Sequence, residues 1–127
     1  MGSAARVLIV DDDDAIAGLV GLALEEDGYE VVAASHGAAA LQLLAQEGPA
    51  QPAAILLDLR MPVMDGWDFA RAYRERVVLR APIIVLTAAP DPGDCAAAID
   101  ASDVLPKPFD LDELRERVAR YAHRRAA

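Results

Sequence analysis

A chain of 127 residues with a formal charge of −9 has the size of one compact domain. Its hydrophobic fraction of 54% with only 5% aromatics supplies an aliphatic core and excludes a disordered chain. No apolar run approaches the roughly 20 residues of a bilayer span, and the acidic balance weighs against direct nucleic-acid binding, which needs a basic face for phosphate.

In chain order, Val7-Leu8-Ile9-Val10 is a β-branched run that predicts a first strand, ending in a block of acids. From about Asp14 to Asp27, Ile16, Leu19, Val20, Ala23 and Leu24 recur at helical spacing. Asp13 and Asp14 suit the amino end of that helix, and Gly28 suits a left-handed stop. Tyr29–Ala34 reads as a second strand, and Ala38–Glu47 as a helix closed by Gly48-Pro49. Ala53–Leu57 reads as a buried strand with Asp58 at its carboxyl end. Asp65-Gly66 carries turn chemistry, and Trp67–Arg76 is helical. Pro82–Leu86 is a further apolar strand running into Thr87. After Pro90 and Pro92 a short helix is expected near residues 93–99, followed by a short strand at Asp103–Leu105. In the final helix, Asp110 with Glu113 forms a capping-box pattern. Leu111, Leu114, Val118 and Tyr121 supply its apolar stripe, and the arginines toward its end complement its dipole.

Five strands alternating with five helices predict an α/β fold with a mostly parallel sheet, and right-handed crossovers place helices on both faces. In such sheets functional groups collect beyond the carboxyl ends of the strands, at the topological switch point. Asp11-Asp12, Asp58, Thr87 and Lys107 each stand at or just after a separate strand end. Three carboxylates crowded into one crevice repel unless a cation joins them. Asp11, Asp12 and Asp58 therefore form a candidate divalent-metal site suited to the hard ion Mg²⁺, with Mn²⁺ as the alternative. Three carboxylates, the Lys107 ammonium and one dication sum to zero. An added phosphoryl group would unbalance that sum, and Lys107 and the Thr87 hydroxyl are suitable donors to its oxygens. A carboxylate can attack phosphorus, and such a site then works mainly by positioning and charge neutralisation. His36 and His123 fall outside this group and read as surface residues. The lone Cys95 cannot form an internal disulfide, and residues 1–6 lack a secretory signal, so a cytoplasmic location is expected.

Taken together, Leu8-Ile9-Val10-Asp11-Asp12, Leu57-Asp58-Leu59-Arg60-Met61-Pro62-Val63-Met64-Asp65-Gly66, Val85-Leu86-Thr87-Ala88 and Lys107-Pro108-Phe109 resemble the receiver domain of two-component response regulators from about Arg6 to Tyr121. The resemblance implies a doubly wound, flavodoxin-like five-stranded sheet of order 2-1-3-4-5, with residues 1–127 forming a single receiver domain (core about 6–121, short flexible termini). It implies that Asp58 accepts a phosphoryl group from a sensor histidine kinase or phosphotransfer protein. Asp12 would bind Mg²⁺ directly, Asp11 chiefly through water, and the Arg60 backbone carbonyl would be a further ligand. Lys107, Thr87 and the Ala88 backbone would hold the phosphoryl oxygens, and the Lys107-Pro108 peptide would be cis, as X-Pro bonds allow. Such a domain is a signalling switch for a downstream protein rather than an enzyme: it assists only its own phosphorylation and dephosphorylation.

This chain departs from the family pattern at several positions. Val104 stands where family members often carry an aromatic switch residue, and Asp100 where glycine is frequent. Ala89 offers no polar side chain to an attacking water, so Arg60 is expected to govern phosphoryl lifetime. The segment from Thr87 to Lys107 is also about two residues short, which expects a short or displaced fourth helix. Two other functions remain open. One is a receiver-like scaffold that signals without phosphorylation. The other is an aspartate-nucleophile phosphohydrolase, which Asp11-Asp12-Asp13-Asp14-Ala15 fits poorly. A homodimer through Arg115, Arg117 and Arg120 with acids such as Asp103 is a further expectation; Ile16, Leu19 and Val20 offer either a kinase-docking patch or, at least equally, core packing of their helix.

Overall fold

In a computed structural model, residues 5–47, 51–59, 64–76, 80–88 and 101–126 are described. The strands are β1 (Arg6–Val10), β2 (Glu30–Ala34), β3 (Ala54–Asp58), β4 (Ile83–Thr87) and β5 (Asp103–Pro106). Among the described residues the helices are α1 (Asp14–Glu26), α2 (Gly37–Glu47), α3 (Gly66–Arg76) and α4 (Leu111–Ala126). All strand pairs are parallel, in the order β2-β1-β3-β4-β5. The order reverses between β1 and β3, which is the switch point of a doubly wound sheet. The helix expected near residues 93–99, Cys95 and Asp100 lie outside the described residues.

Strand alternation divides the core into two layers. Leu8, Val10, Ile55, Leu57, Ile83 and Val85 face α2 and α3, where Leu41, Leu44, Phe69 and Tyr73 meet them. Val7, Ile9, Leu56, Ile84, Leu86 and Leu105 point the other way, onto Val20 and Leu24 of α1 and Leu114 and Val118 of α4. β3 and β4 are buried along their whole length, as central strands covered on both faces must be. β2 and β5, at the edges, are only partly buried.

The ends of α1 follow their sequence signals closely, while the stop expected for α2 at Gly48-Pro49 lies outside the described residues. Asp13 caps α1, its carboxylate accepting from the amides of Ala15 (3.0 Å) and Ile16 (3.2 Å). Gly28 closes it at φ 94°; the Gly28 amide donates to the Glu25 carbonyl and the Tyr29 amide to the Leu24 carbonyl. That pair of bonds is the Schellman arrangement, which glycine permits without strain. Asp65, read as a turn residue, caps α3 by accepting from the Asp68 amide at 2.9 Å. Asp110 accepts from the Asp112 amide at 2.8 Å, but the capping box is not completed. Glu113 turns outward to Arg117 at 3.2 Å, because a charged partner one helical turn on outcompetes a backbone amide.

α1 ends in three acids, Glu25, Glu26 and Asp27, with no basic residue in its last turn, an unfavourable charge for that end of the helix dipole. Arg115 of α4 supplies the missing cation, reaching Glu26 at 3.0 Å, Asp27 at 3.5 Å and the Ala23 carbonyl at 3.5 Å. Neighbouring Tyr29 is half-buried, and burial together with the Asp27 charge raises its phenol pKa above the usual 10.0.

Two outcomes follow for stability. Leu114→Ala should cost about 2–5 kcal/mol in urea unfolding, because a fully buried side chain leaves a cavity between α4 and the sheet. A raised phenol pKa means the folded state keeps a proton that the unfolded state loses. Stability therefore falls as pH climbs through and beyond 10.0. Tyr29→Phe should show a shallower alkaline decline than the wild type when unfolding is followed above that pH.

Candidate functional site

Because β1 and β3 are adjacent and parallel, their carboxyl ends bring Asp11 and Asp58 together at the switch point. Asp11 is buried, its amide donating to the Ala34 carbonyl at 3.1 Å in continuation of the β1–β2 ladder. Its Oδ1 accepts from the Asp13 amide at 2.9 Å, which fixes the rotation of the carboxylate. Asp12 is exposed at the rim, whereas Asp58 is buried as the last residue of β3. One carboxylate oxygen from each of Asp11, Asp12 and Asp58 lies within 4.8 Å of the others.

Lys107 approaches from the far side. The chain leaving β5 extends its ladder, with the Lys107 amide donating to the Thr87 carbonyl at 2.7 Å. The Lys107-Pro108 peptide is cis. The Lys107 ammonium stands 3.3 Å from Asp11 Oδ2 and 3.7 Å from Asp58 Oδ2. Thr87 is buried at the end of β4, and Ala88 beside it is exposed. Strand ends thus bring Asp11, Asp12, Asp58 and Lys107 together, with Thr87 at the end of the neighbouring β4. Val104 pairs with Val85 in the β4–β5 register and packs against the α2–α3 side of the core. Arg60 and Ala89 lie outside the described residues.

The donor set fits a divalent oxygen-seeking ion. Hard carboxylate oxygens from two strand ends converge, and a single ammonium offsets only part of their charge. Two of the three acids are removed from bulk solvent, where uncompensated charge is costly, while exposed Asp12 leaves an approach open.

Next to the crevice, Ile16, Leu19 and Val20 of α1 join Ala88, Lys107, Pro108, Phe109 and Leu111 in lining an apolar groove of about 380 Å³. Leu19 and Leu22 are 56% and 62% exposed, whereas Val20 faces the core. The described arginines of α4 (Arg115, Arg117 and Arg120) find partners within their own chain. Arg117 bonds Asp103 at 2.9 Å and the Val104 carbonyl at 3.1 Å, and Arg120 lies 3.9 Å from Asp103. The Tyr121 hydroxyl completes this group, standing 3.0 Å from the Ser102 carbonyl and 3.1 Å from Asp103.

Sequence reasoning missed two features near the site. His36 caps α2, its Nδ1 accepting from the Ala39 amide at 3.1 Å. Gly37 then packs directly on Met64. Neither belongs to a spacing pattern; a histidine at a helix start was the one available signal.

The response regulator receiver domain profile matches residues 7–119. Among curated proteins, the response regulator MprA of Mycolicibacterium vanbaalenii is 40% identical over 115 residues, covering 89% of this chain and 48% of that protein. MprA of Mycobacterium leprae is 39% identical, covering 89% and 49% respectively. The chain therefore spans about half the length of the curated relatives it matches. Among solved structures, the receiver domain of Francisella response regulator 1452 aligns with a TM-score of 0.82 at 30% identity, covering 94% of this chain and 98% of that one. Response regulator TrrA of Thermotoga maritima, solved in complex with Mg²⁺-BeF, aligns with a TM-score of 0.80 at 31% identity, covering 92% and 98%.

Removing the ammonium should expose the repulsion it offsets. Lys107→Ala should lose about 2–4 kcal/mol of stability in metal-free buffer, between the cost of an unsatisfied buried polar group and that of a buried charge left without its partner. Millimolar Mg²⁺ should restore part of that loss, as chemical unfolding with and without the ion would register.

Proposed function

This chain belongs to the response regulator receiver family, and from that membership we propose that it takes a phosphoryl group onto Asp58 and switches a partner-binding surface in two-component signalling. The observation that carries this reading is the Lys107 ammonium standing 3.3 Å from Asp11 and 3.7 Å from Asp58, beside three carboxylates that converge within 4.8 Å.

Asp11, Asp12 and Asp58 would hold Mg²⁺ (or Mn²⁺), with the Arg60 carbonyl as a further ligand. The bound ion would neutralise charge on the transferring oxygens. An Asp58 carboxylate oxygen attacks phosphorus as the bond from phosphorus to the donor nitrogen breaks, and the electron pair stays on that nitrogen. The donor is a phosphohistidine of a sensor kinase or phosphotransfer protein. Lys107 steadies the acceptor carboxylate and afterwards pairs with the new phosphoryl oxygens. Thr87 and the Ala88 backbone lie at the strand end where those oxygens arrive. Val104 lacks a ring that could turn inward behind Thr87, so the outward signal travels by another route.

Residues 1–127 act as one receiver domain with a core over about 6–121, working in the cytoplasm. The domain is a switch and not a turnover enzyme, promoting only its own phosphorylation and dephosphorylation. The kinase docks on the apolar groove edged by Ile16 and Leu19, which opens beside Lys107. A homodimer through α4 would have to draw Arg117 and Arg120 from their contacts with Asp103 in the same chain.

Intact-mass measurement after incubation with a small phosphodonor and Mg²⁺ tests the reading. A single phosphoryl adduct is expected on the wild type and not on Asp58→Asn. No adduct on either would favour a scaffold that signals without phosphorylation, and continuous phosphate release would favour a hydrolase. Leu19→Glu should leave labelling by the small donor intact while lowering transfer from a phosphohistidine protein about tenfold. Such a charge placed in a desolvated contact costs on the order of 1–2 kcal/mol.

A further inference from the structure

We propose that Gly37, the first residue of α2, is a positioning residue for the phosphoacceptor, acting through Met64 on the path of the chain from Asp58 into α3. The proposal rests on the phosphoacceptor reading above. Gly37 is buried, and a Cβ placed on it would stand 3.0 Å from Met64 Cγ and 3.1 Å from both its Sδ and its carbonyl oxygen. Carbon contacts are comfortable at about 3.5–4.0 Å, so any side chain here pushes Met64 away. Backbone conformation does not explain the glycine, since among the described residues the positive φ belongs to Gly28. Helix propensity does not explain it either, because glycine is a poor helix former where alanine would serve. The missing side chain is explained by the notch it leaves.

The notch is held from both sides. His36 pins the start of α2, its Nδ1 accepting from the Ala39 amide and its carbonyl accepting from the Ala40 amide at 3.2 Å. Beyond Met64, the Gly66 amide donates to the Leu59 carbonyl at 3.0 Å, closing the chain back onto the end of β3. Gly66 sits so close that a Cβ there would lie 2.7 Å from Leu59 Cα and 2.9 Å from the Asp58 carbonyl oxygen. Met64 and Trp67 also pack on the same core layer as Leu59. A displacement of Met64 therefore reaches Gly66, and through it the backbone of Asp58. Gly18 in α1 is the contrast, with nothing within 4 Å of its Cβ position.

The test compares Gly37→Ala and Gly37→Val with Gly18→Ala as a control on open space. In metal-free protein, hydrogen exchange at the Gly66 amide should quicken in both Gly37 variants and stay unchanged in the control. The Mg²⁺ dissociation constant, read by titration calorimetry, should rise about threefold in the alanine variant and about tenfold in the valine variant. Those factors lie at or below the roughly 10–100-fold that disturbing the groups behind a metal ligand costs in affinity. Adding Met64→Ala to Gly37→Ala should return the constant to within about twofold of Met64→Ala alone, the coupling expected of residues in contact. Gly66 exchange and Mg²⁺ affinity both unchanged in Gly37→Ala would overturn the proposal, and that variant decides the matter if the valine variant does not fold. A wild type that neither binds Mg²⁺ nor accepts a phosphoryl group would instead overturn the phosphoacceptor reading, while Gly66 exchange would still report on the Gly37–Met64 contact.

Discussion

Asp11 and Asp58 end neighbouring parallel strands, and Asp12 stands at the rim beside them, so the sheet itself forces like charges together. In water at such separations the repulsion would be modest, but two of these groups are buried, where screening is weak. Lys107 relieves part of the repulsion by standing between the two buried carboxylates. Much of the surrounding structure serves to hold that ammonium in place. The amide of Lys107 continues the β4–β5 ladder to Thr87, and prolines on either side of it stiffen the chain. The site is an electrostatic balance set by the ends of the strands, and it is poised to respond to one more charge.

The frame around this balance is fastened by arginine. Arg115 ties α4 to the acidic end of α1, so both helices on that face of the sheet are held as a pair. Arg117, with Tyr121, ties α4 to β5 through Asp103. β5 is an edge strand and carries Lys107 at its end, so α4 indirectly steadies the cation of the site. That contact couples the edge strand to α4 without an aromatic ring at position 104. A shift of β5 would be felt at Asp103 and passed to the surface of α4.

Most of this fold was legible in the order of residues. The continuous apolar runs at Val7–Val10 and Pro82–Leu86 marked buried strands, because a parallel sheet covered on both sides leaves no face for polar residues. Asp13 and Gly28 marked the ends of α1 by chemistry that acts within one turn. The convergence of Asp11, Asp12, Asp58 and Lys107 was legible for a related reason: each follows a strand, and strand ends meet. What could not be read were contacts made across the fold by residues with no periodic signature. Glu113 chose Arg117 over its own helix start, and Arg115 reached α1 from 88 positions away in sequence, at Asp27. The notch at Gly37 was invisible because a glycine opening a helix looks like a capping choice until its neighbour is seen. The arginine at position 60 and the helix expected near residues 93–99 lie outside the described residues.

Lys107 is the chain's only lysine; the other eleven of its twelve basic side chains are arginines. Every described ion pair on the framework is thus made by a guanidinium, whose planar fork suits a carboxylate. The one side-chain amine, a compact charge on a flexible stem, stands in the crevice between Asp11 and Asp58. Apart from the chain terminus, chemistry selective for amines has a single address on this molecule. The nitrogen of that side chain gives the state of the site its own signal, unmixed with that of any structural cation.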